Sequence, residues 1–209
     1  MIKKKVAKIL LNLKAVTLSP EKPYKFASGI LSPIYCDNRV LMSYTKERKK
    51  IVNFFIKTIK ENNLNFDVIG GIATSGICWA AWIAEKLKKP MIYIRAKAKE
   101  HGKENLIEGK LEKGQKVLII EDLVSTGGSS LSAVNAVREQ GGIVEDCVAI
   151  FTYEMEKQKK SFAENKCNLF ALSNFTALID VATKEKYIKE EDREKVLEWN
   201  KNPDKWGLQ

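Results

Sequence analysis

The chain has 209 residues, of which 44% are hydrophobic, enough to bury the core of one domain. No apolar run approaches the ~20 residues of a membrane span, and the charged, amphipathic start MIKKKVAKILLNLKAV is unlike a signal peptide, so we expect a cytoplasmic protein. The four cysteines form no CxxC pair, which argues against a disulfide framework or a zinc site. The net charge of +10 comes from lysines scattered over nearly the whole chain, and we interpret most of it as solvated surface.

Helical and apolar segments alternate along the chain. Helical periodicity covers residues 3–15 and 45–61, and the glycine and proline between them predict small strands and turns over 24–39. Short, continuous apolar runs of strand length follow at 67–73, 91–96, 115–122, 142–151 and 168–172. Helical stretches are predicted at 76–88, 127–140 and 156–166, and two amphipathic helices within 174–209.

Runs that are apolar on both faces, with helices between them, are typical of a parallel sheet covered on both sides. We therefore predict an α/β fold with a central, mostly parallel sheet flanked by helices. The absence of repeats and low-complexity linkers indicates a single domain over residues 1–209. Ligands of such sheets bind at the carboxyl ends of the strands, where three loops of this chain have unusual chemistry.

The first loop belongs to the stretch VLIIEDLVSTGGSS, residues 117–130, in which an apolar strand ends on Glu121 and Asp122. Gly127 and Gly128 permit a tight turn before a helix, whose first N–H groups and dipole attract an anion. Serine and threonine hydroxyls add donors, so a phosphate monoester fits without a lysine. The acids are expected to face a ribose diol, or a metal held by one. Together these features indicate ribose 5-phosphate; an ordinary strand followed by an N-capped helix is the plain alternative.

This stretch resembles the phosphoribosyl-pyrophosphate (PRPP) signature of the type I phosphoribosyltransferases. The resemblance implies that family's fold, with a small hood lobe formed mainly by residues 1–45 over a core sheet at 63–173. It also implies that Glu121 and Asp122 lie near the ribose hydroxyls, with Asp122 among the catalytic residues. The implied contacts to the 5′-phosphate are Leu123, Val124, Ser125, Thr126, Gly127, Gly128 and Ser129.

The second loop is GGIATSGICWAAW, residues 70–82. Gly71 and Gly76 approximate a Walker A motif, but Ile77 stands where its lysine belongs, which argues against an ATPase. The turn can still offer backbone amides to an anion, and the resembling family binds pyrophosphate here. The implied PRPP contacts are Thr74, Ser75 and Gly76. Close packing of a helix on the sheet is the alternative reason for these glycines.

The third loop, RAKAKEHGKENLIEG at residues 95–109, gathers four cationic side chains and the only histidine within nine positions. It has almost nothing apolar before Leu106 and Ile107, so we expect it to be mobile when empty. A solvated charge run is the alternative interpretation.

The same loop resembles the flexible catalytic loop of the orotate phosphoribosyltransferase family, which reaches the neighbouring subunit's site and so implies a homodimer. Arg95, Lys99 and His101 match the family's pyrophosphate contacts and are expected to be catalytic, Lys99 above all. Some members carry a further lysine where this chain has Ala96, and whether Lys97 compensates stays open.

The stretch FASGILSPIYCDNR, residues 26–39, resembles the family's orotate-recognition segment. Orotate is a small, flat anion, so an aromatic ring can stack on it and backbone amides from Ser32 to Tyr35 can pair with its edge. Arg39 is the leading candidate for its carboxylate, because Ala27 replaces a common lysine and FTYEM, residues 151–155, lacks an arginine that some relatives carry there. The expected orotate contacts are Phe26, Pro33, Ile34, Tyr35, Arg39 and Ser125.

These resemblances imply transfer of the phosphoribosyl group of PRPP to orotate, giving orotidine 5′-monophosphate and pyrophosphate in pyrimidine biosynthesis. The family uses Mg²⁺ held chiefly by substrate oxygens, so we expect no protein metal site, and neither nucleic acid nor membrane as partner. Two alternatives stay open. A purine phosphoribosyltransferase would share 117–130 but lack the 26–39 stretch, and an RNA-binding regulator on the same fold is encouraged only by the net charge.

Overall fold

The structure is a computed structural model that describes residues 1–25, 29–96, 105–203 and 206. Phe26, Lys99 and His101, to which the resemblance assigns substrate contacts, lie outside the described residues, as do Ala27 and Lys97. Within the described ranges, no helix is both long and apolar enough to cross a membrane.

The N-terminal part contains one helix and two small antiparallel strand pairs. Helix α1 (Ile2–Asn12) buries Val6, Ala7, Leu10 and Leu11, which recur at helical spacing on one face. Strand β1 (Val16–Leu18) pairs with β4 (Ile34–Cys36), and β2 (Tyr24–Lys25) pairs with β3 (Leu31–Ser32). A 3-10 helix (Asn38–Ser43) then leads into α2 (Thr45–Glu61).

The rest of the described chain is built on a six-stranded sheet. Its strands are β5 (Val68–Ile72), β6 (Met91–Ile94), β7 (Ile107–Glu108), β8 (Val117–Val124), β9 (Asp146–Thr152) and β10 (Asn168–Asn174). They lie in the order β10-β9-β8-β5-β6-β7, with all neighbours parallel except the β6–β7 pair. The remaining helices are α3 (Ser75–Leu87), α4 (Gly128–Glu139), α5 (Glu156–Glu164), α6 (Phe175–Lys184) and α7 (Asp192–Lys201). This order confirms the predicted α/β fold with its mostly parallel sheet.

Alternate residues of the central strands enter two separate hydrophobic cores. In β8, Leu118 and Ile120 join α1, α2, α3, α6 and α7 on one face, while Val117 and Ile119 join α4 and α5 on the other. Successive side chains of a strand point to opposite faces, so both faces of the sheet are buried. This explains why the sequence shows continuous apolar runs instead of alternation.

Three local features differ from the sequence prediction. Strand β8 continues two residues beyond the predicted end at 122, to Val124, so both acids lie inside the strand. The 3-10 helix and the edge strand β7 were not predicted, since six and two residues repeat a helical or strand pattern too few times to establish it. Ile107 is nevertheless buried, because it pairs with Ile94 at the edge of the sheet.

Candidate active site

One cavity of about 310 Å³ lies at the carboxyl ends of β5 and β8. Three segments distant in sequence line it, through Cys36, Asp37, Asn38, Arg39, Ile72, Ala73, Thr74, Ser75, Glu121, Asp122, Leu123 and Ser129. A larger cavity of about 760 Å³ lies between residues 18–22 and 183–192. Volume therefore does not identify the site. The smaller cavity is the candidate because it lies where parallel sheets bind ligands and gathers residues from two of the predicted loops and the recognition segment.

The two acids of β8 have different surroundings. Continued alternation along the strand turns Asp122 toward the face that carries α3 and Glu121 toward the face that carries α4. Glu121 is only 6% exposed, and its Oε1 accepts a hydrogen bond from the Asp122 N–H at 3.0 Å. Both reach the cavity at the end of the strand. The sequence prediction placed both acids near the ribose hydroxyls, whereas their positions suit them to different contacts.

Burial changes the acidity of both groups. Burial, followed by the adjacent Asp122, raises the pKa of Glu121 to about 9, and burial is also the main cause that raises the pKa of Asp122. Near neutral pH Glu121 therefore favours its protonated form, which can donate as well as accept a hydrogen bond. A hydroxyl-rich ligand can use both capacities.

The turn after β8 combines a left-handed glycine with exposed hydroxyl groups. Gly127 has φ +88°, and a Cβ on it would lie 2.8 Å from the Phe162 ring. No atom lies within 4 Å of a Cβ built on Gly128, so space is open above the turn. Helix α4 begins at Gly128, and its first N–H groups lack intrahelical acceptors. These features give the turn the properties of an anion site.

The other residues of this turn are placed unevenly. Thr126 and Ser129 are exposed, Val124 is buried, and the Ser125 hydroxyl lies 3.8 Å from the Met155 sulfur. Ser130 is buried, and its hydroxyl has no hydrogen-bond partner within the described part of the chain. Of the residues named in this paragraph from the turn and the start of α4, Ser129 is the one that lines the cavity.

Close packing explains the glycines of the loop after β5. A Cβ on Gly76 would lie 2.5 Å from the Ile120 carbonyl oxygen, and one on Gly71 would lie 2.8 Å from the Ala80 Cβ. Glycine therefore lets α3 lie directly on β5 and β8. Thr74 is exposed at the N-terminus of α3 and lines the cavity together with Ser75.

The recognition segment presents a fixed ion pair at the cavity. Arg39 donates two hydrogen bonds to Asp37, from Nε to Oδ1 at 2.7 Å and from a terminal nitrogen to Oδ2 at 3.0 Å. These bonds are the largest cause that lowers the pKa of Asp37. The Arg39 side chain is 63% exposed, so its outer face stays accessible to a ligand.

The other expected orotate contacts lie on and around β4. The Tyr35 side chain is 45% exposed, with its ring 5.6 Å from the Tyr24 ring. Pro33 and Ile34 are buried, and the Ile34 N–H donates to the Ser32 hydroxyl at 3.3 Å. Antiparallel pairing of β4 with β1 uses further backbone groups of this segment. Of these residues, Tyr35 offers the exposed surface.

Arg95 lies at the base of the cationic loop. Its N–H donates to the Leu106 carbonyl at 2.8 Å, and its guanidinium lies 3.3 Å from Glu108 Oε1. The expected loop of 95–109 is thus anchored at both ends to the sheet edge, by β6 and β7. Arg95 does not line the described cavity in this arrangement.

Sequence reasoning missed Asn38, which lies between Asp37 and Arg39 in the recognition segment. The side chain is 1% exposed, and Nδ2 donates to the Asp122 carbonyl at 2.7 Å. The signal available in the sequence was an amide side chain within the recognition segment, because an amide that becomes buried needs hydrogen-bond partners. The sequence cannot say which distant carbonyl supplies that partner.

A divalent cation would find few protein ligands here. In the parts of the chain that the structure describes, no group of three His, Cys, Asp or Glu side chains could hold a metal ion. The cavity supplies carboxyl groups from Glu121 and Asp122 beside the open turn that precedes α4. With Glu121 protonated, this donor set fits a Mg²⁺ ion that takes one carboxylate, that of Asp122, and otherwise keeps water and phosphate oxygens.

Comparison with known proteins agrees with this geometry. A model of the family described as the phosphoribosyl transferase domain matches residues 43–186. An orotate phosphoribosyltransferase of Coxiella burnetii is 53% identical over 201 residues, 96% of each chain, and one of Listeria innocua is 52% identical over 206 residues, 99% of each chain.

The chain belongs to the orotate phosphoribosyltransferase family. The matched domain begins at residue 43, after the recognition segment, so the placement among orotate phosphoribosyltransferases depends on the full-length relatives. The solved structure of an orotate phosphoribosyltransferase from Aeropyrum pernix has a TM-score of 0.76, with 24% identity over 88% of this chain and 99% of that one. At that identity the likeness establishes the shared fold.

Proposed function

We propose that the chain transfers the phosphoribosyl group of PRPP to orotate in the cavity between β5 and β8. One observation supports this best. The glycine turn before α4, two carboxyl groups and the recognition segment meet at the carboxyl ends of β5 and β8. Such a site can hold a sugar phosphate and a flat base together. Membership of the orotate phosphoribosyltransferase family favours orotate as that base.

The sugar phosphate would extend from the turn after β8 to the acids. The main-chain N–H groups at 125–129 and the hydroxyls of Ser125, Thr126 and Ser129 would bind the 5′-phosphate. Asp122 and Glu121 would bind the ribose hydroxyls. Asp122 would also favour the positive charge that the sugar gains as its bond to pyrophosphate stretches. The different surroundings of the two acids suit this division.

Orotate would lie against the recognition segment. The exposed Tyr35 ring offers a face for stacking, and the accessible side of Arg39 offers a cation for the carboxylate. Phe26, Pro33 and Ile34 would complete the pocket wall, with Ser125 contacting the base from the opposite side. Because Ile34 is buried, its contribution would come from shape or from the main chain.

Pyrophosphate would leave toward the loop after β5. Thr74 and Ser75 would offer hydroxyl and amide donors, with Gly76 setting the close approach of α3. Arg95, Lys99 and His101 would stabilise the negative charge that builds on the leaving oxygen. Arg95 would then exchange its contact with Glu108 for one with substrate.

Mg²⁺ is the metal that we propose for the reaction, held chiefly by the pyrophosphate and ribose oxygens of the substrate, with Asp122 as the nearby carboxylate. When bound, it would neutralise charge on the leaving pyrophosphate. The polypeptide's own contribution is to align the base with the sugar carbon and to keep water from the activated sugar. Closure of the cationic segment would provide that exclusion.

We further propose a cytoplasmic homodimer of single-domain chains, with residues 1–45 mainly forming the hood. Helix α3 supports the dimer, because Ile77, Ala81 and Trp82 leave apolar surface partly exposed within residues 76–84, all of which are apolar. A second copy covering this face would bring its 95–109 loop toward the neighbouring cavity. Light scattering of the purified protein tests the assembly, and a monomer at assay concentration contradicts it.

Orotate absorbance, followed with PRPP and Mg²⁺ present, tests the activity. We expect Lys99→Ala to lower turnover far more than it weakens orotate binding, by roughly 30-fold to 1000-fold if one charge-stabilising contact is lost. Near-normal single-turnover rates would refute that role.

Mixing two inactive variants tests the shared site. Lys99→Ala alters the loop and Asp122→Asn alters the cavity. In a mixed dimer, the unaltered loop of the Asp122→Asn subunit would reach the unaltered cavity of the Lys99→Ala subunit, which gives one intact site. Activity that returns on mixing supports the intersubunit loop, while activity that stays absent after demonstrated subunit exchange contradicts it.

A further inference from the structure

We propose that Asn38 is a positioning residue that fixes the base-recognition segment to the sugar-binding end of β8. This inference rests on the proposed function of the cavity. The hydrogen bond from Asn38 Nδ2 to the Asp122 carbonyl is 2.7 Å long and joins residues 84 positions apart. It connects the two sides of the cavity directly.

The position of the acceptor explains why an amide is needed there. Pairing between β5 and β8 ends with Gly71 opposite Ile120, so Asp122 lies two residues beyond the last pair. A partly buried carbonyl near a strand end still favours a donor. Asn38, from the 3-10 helix that packs on β8, supplies it. The recognition segment thereby completes the hydrogen bonding of the strand that carries the acids.

A second contact orients the amide. Asn38 Oδ1 accepts from the Cys36 thiol at 3.5 Å, which leaves Nδ2 directed at Asp122. Burial is the main cause that raises the pKa of Cys36 well above its usual range, so the thiol keeps the proton that it donates. On either side of Asn38, Asp37 and Arg39 are fixed to each other by their ion pair. Both polar atoms of the amide are therefore paired, which favours one orientation of the side chain.

This arrangement sets the separation between the base site and the sugar site. Bond formation requires the orotate ring nitrogen and the sugar carbon to be aligned closely, and small misplacements reduce rates strongly. A ligand that occupies only the sugar side does not need that alignment. A ligand that spans both sides does. Loss of Asn38 should therefore weaken the binding of a ligand that spans both sides more than the binding of a ligand that occupies only the sugar side.

Calorimetric titration of Asn38→Ala with orotidine 5′-monophosphate and with ribose 5-phosphate tests this separation. We expect the dissociation constant of the nucleotide to rise more than ~10-fold and that of ribose 5-phosphate to change less than ~3-fold, with kcat falling ~10-fold to 100-fold. Asn38→Asp, which keeps the size but cannot donate to the carbonyl when ionised, should show the same separation.

Asn62→Ala is the matched control, because Asn62 Nδ2 also donates to a main-chain carbonyl, that of Thr58, at 2.8 Å, but outside the cavity. It should leave both dissociation constants unchanged. Equal weakening of both ligands by Asn38→Ala, or no weakening of either in a folded variant, would overturn the proposal.

If Asn38→Ala fails to fold, the same two titrations of Asn38→Asp and Cys36→Ala test the proposal. Cys36→Ala should also weaken the nucleotide more than ribose 5-phosphate, but by a smaller factor. No separation in either variant overturns the positioning role. Failure of the proposed function would instead be seen in the wild-type protein, as PRPP that is not consumed when orotate is added.

Discussion

The loops after β5 and β8 have similar sequences but different structural roles. Each has glycine and small hydroxyl residues immediately before a helix. After β5, Gly76 lies against the main chain of β8, so the missing side chain permits close packing. After β8, Gly128 lies beneath open space, so the missing side chain leaves room for a ligand. The strands differ as well, because β5 ends on buried Ile72 and β8 carries two acids near its end.

The comparison is most strongly tested by adding one methyl group to the β5 loop. Gly76→Ala places a Cβ 2.5 Å from the Ile120 carbonyl oxygen, which belongs to the backbone and cannot turn away. We expect a loss of about 3 kcal/mol or more in the free energy of unfolding, measured by urea denaturation. Wild-type stability would show that α3 can move off the sheet and that packing is not the reason for this glycine.

The corresponding change in the β8 loop should affect binding instead. Gly128→Ala meets no atom within 4 Å, and its backbone does not have positive φ. We expect stability within about 1 kcal/mol of wild type, while KM for PRPP rises by about one order of magnitude because a methyl group intrudes where phosphate binds. An unchanged KM would place the phosphate elsewhere and remove the functional difference between the loops.

Two isosteric substitutions can separate the anions that the loops bind. Thr126→Val should weaken ribose 5-phosphate about 10-fold and leave pyrophosphate unchanged, because the hydroxyl is proposed to donate to the 5′-phosphate. Thr74→Val should have the reverse pattern. Competition titrations of both variants with both anions measure this. Weakening of the same anion by both substitutions contradicts separate sites.

A separate prediction concerns the pH dependence of stability and the buried acid of β8, Glu121. The folded pKa of Glu121, about 9, is raised above its ordinary value, so the folded state holds a proton that the unfolded state releases. This group's contribution to stability is therefore present below pH 4.5 and is lost as pH rises through about 9, by at most about 1.4 kcal/mol per pH unit.

Glu121→Gln should remove that part of the pH dependence in the ligand-free protein. Denaturation at pH 5 and pH 8 measures it, with Glu85→Gln on the exposed side of α3 as the control. The free energy of unfolding could change by the same amount between pH 5 and pH 8 in the wild type and in Glu121→Gln. Glu121 would then be ionised in the folded protein, and the ends of β5 and β8 would differ less than proposed.

The sequence predicted the sheet because each central strand is buried on both faces, which its composition reveals directly. It also located the turn after β8, since acids followed by glycine and hydroxyl residues form a long, specific pattern. The sequence could not predict which residues distant along the chain come into contact. The Asn38 amide and the Asp122 carbonyl meet only through folding, and the 2.5 Å approach at Gly76 depends on how α3 lies on β8. The roles of Lys99 and His101, outside the described residues, stay predictions.

Strand β8 also constrains how this enzyme can change over evolution. Alternation assigns Asp122 and Glu121 to opposite faces, so inserting one residue between Val117 and Ile120 would exchange their environments while preserving every residue of the motif. The acid that now lies beside Asn38 and Arg39 would turn to the α4 side. Substitutions within this motif are therefore more easily accommodated than a change in its length, and relatives that keep the activity should keep the number of residues from Val117 to Gly127.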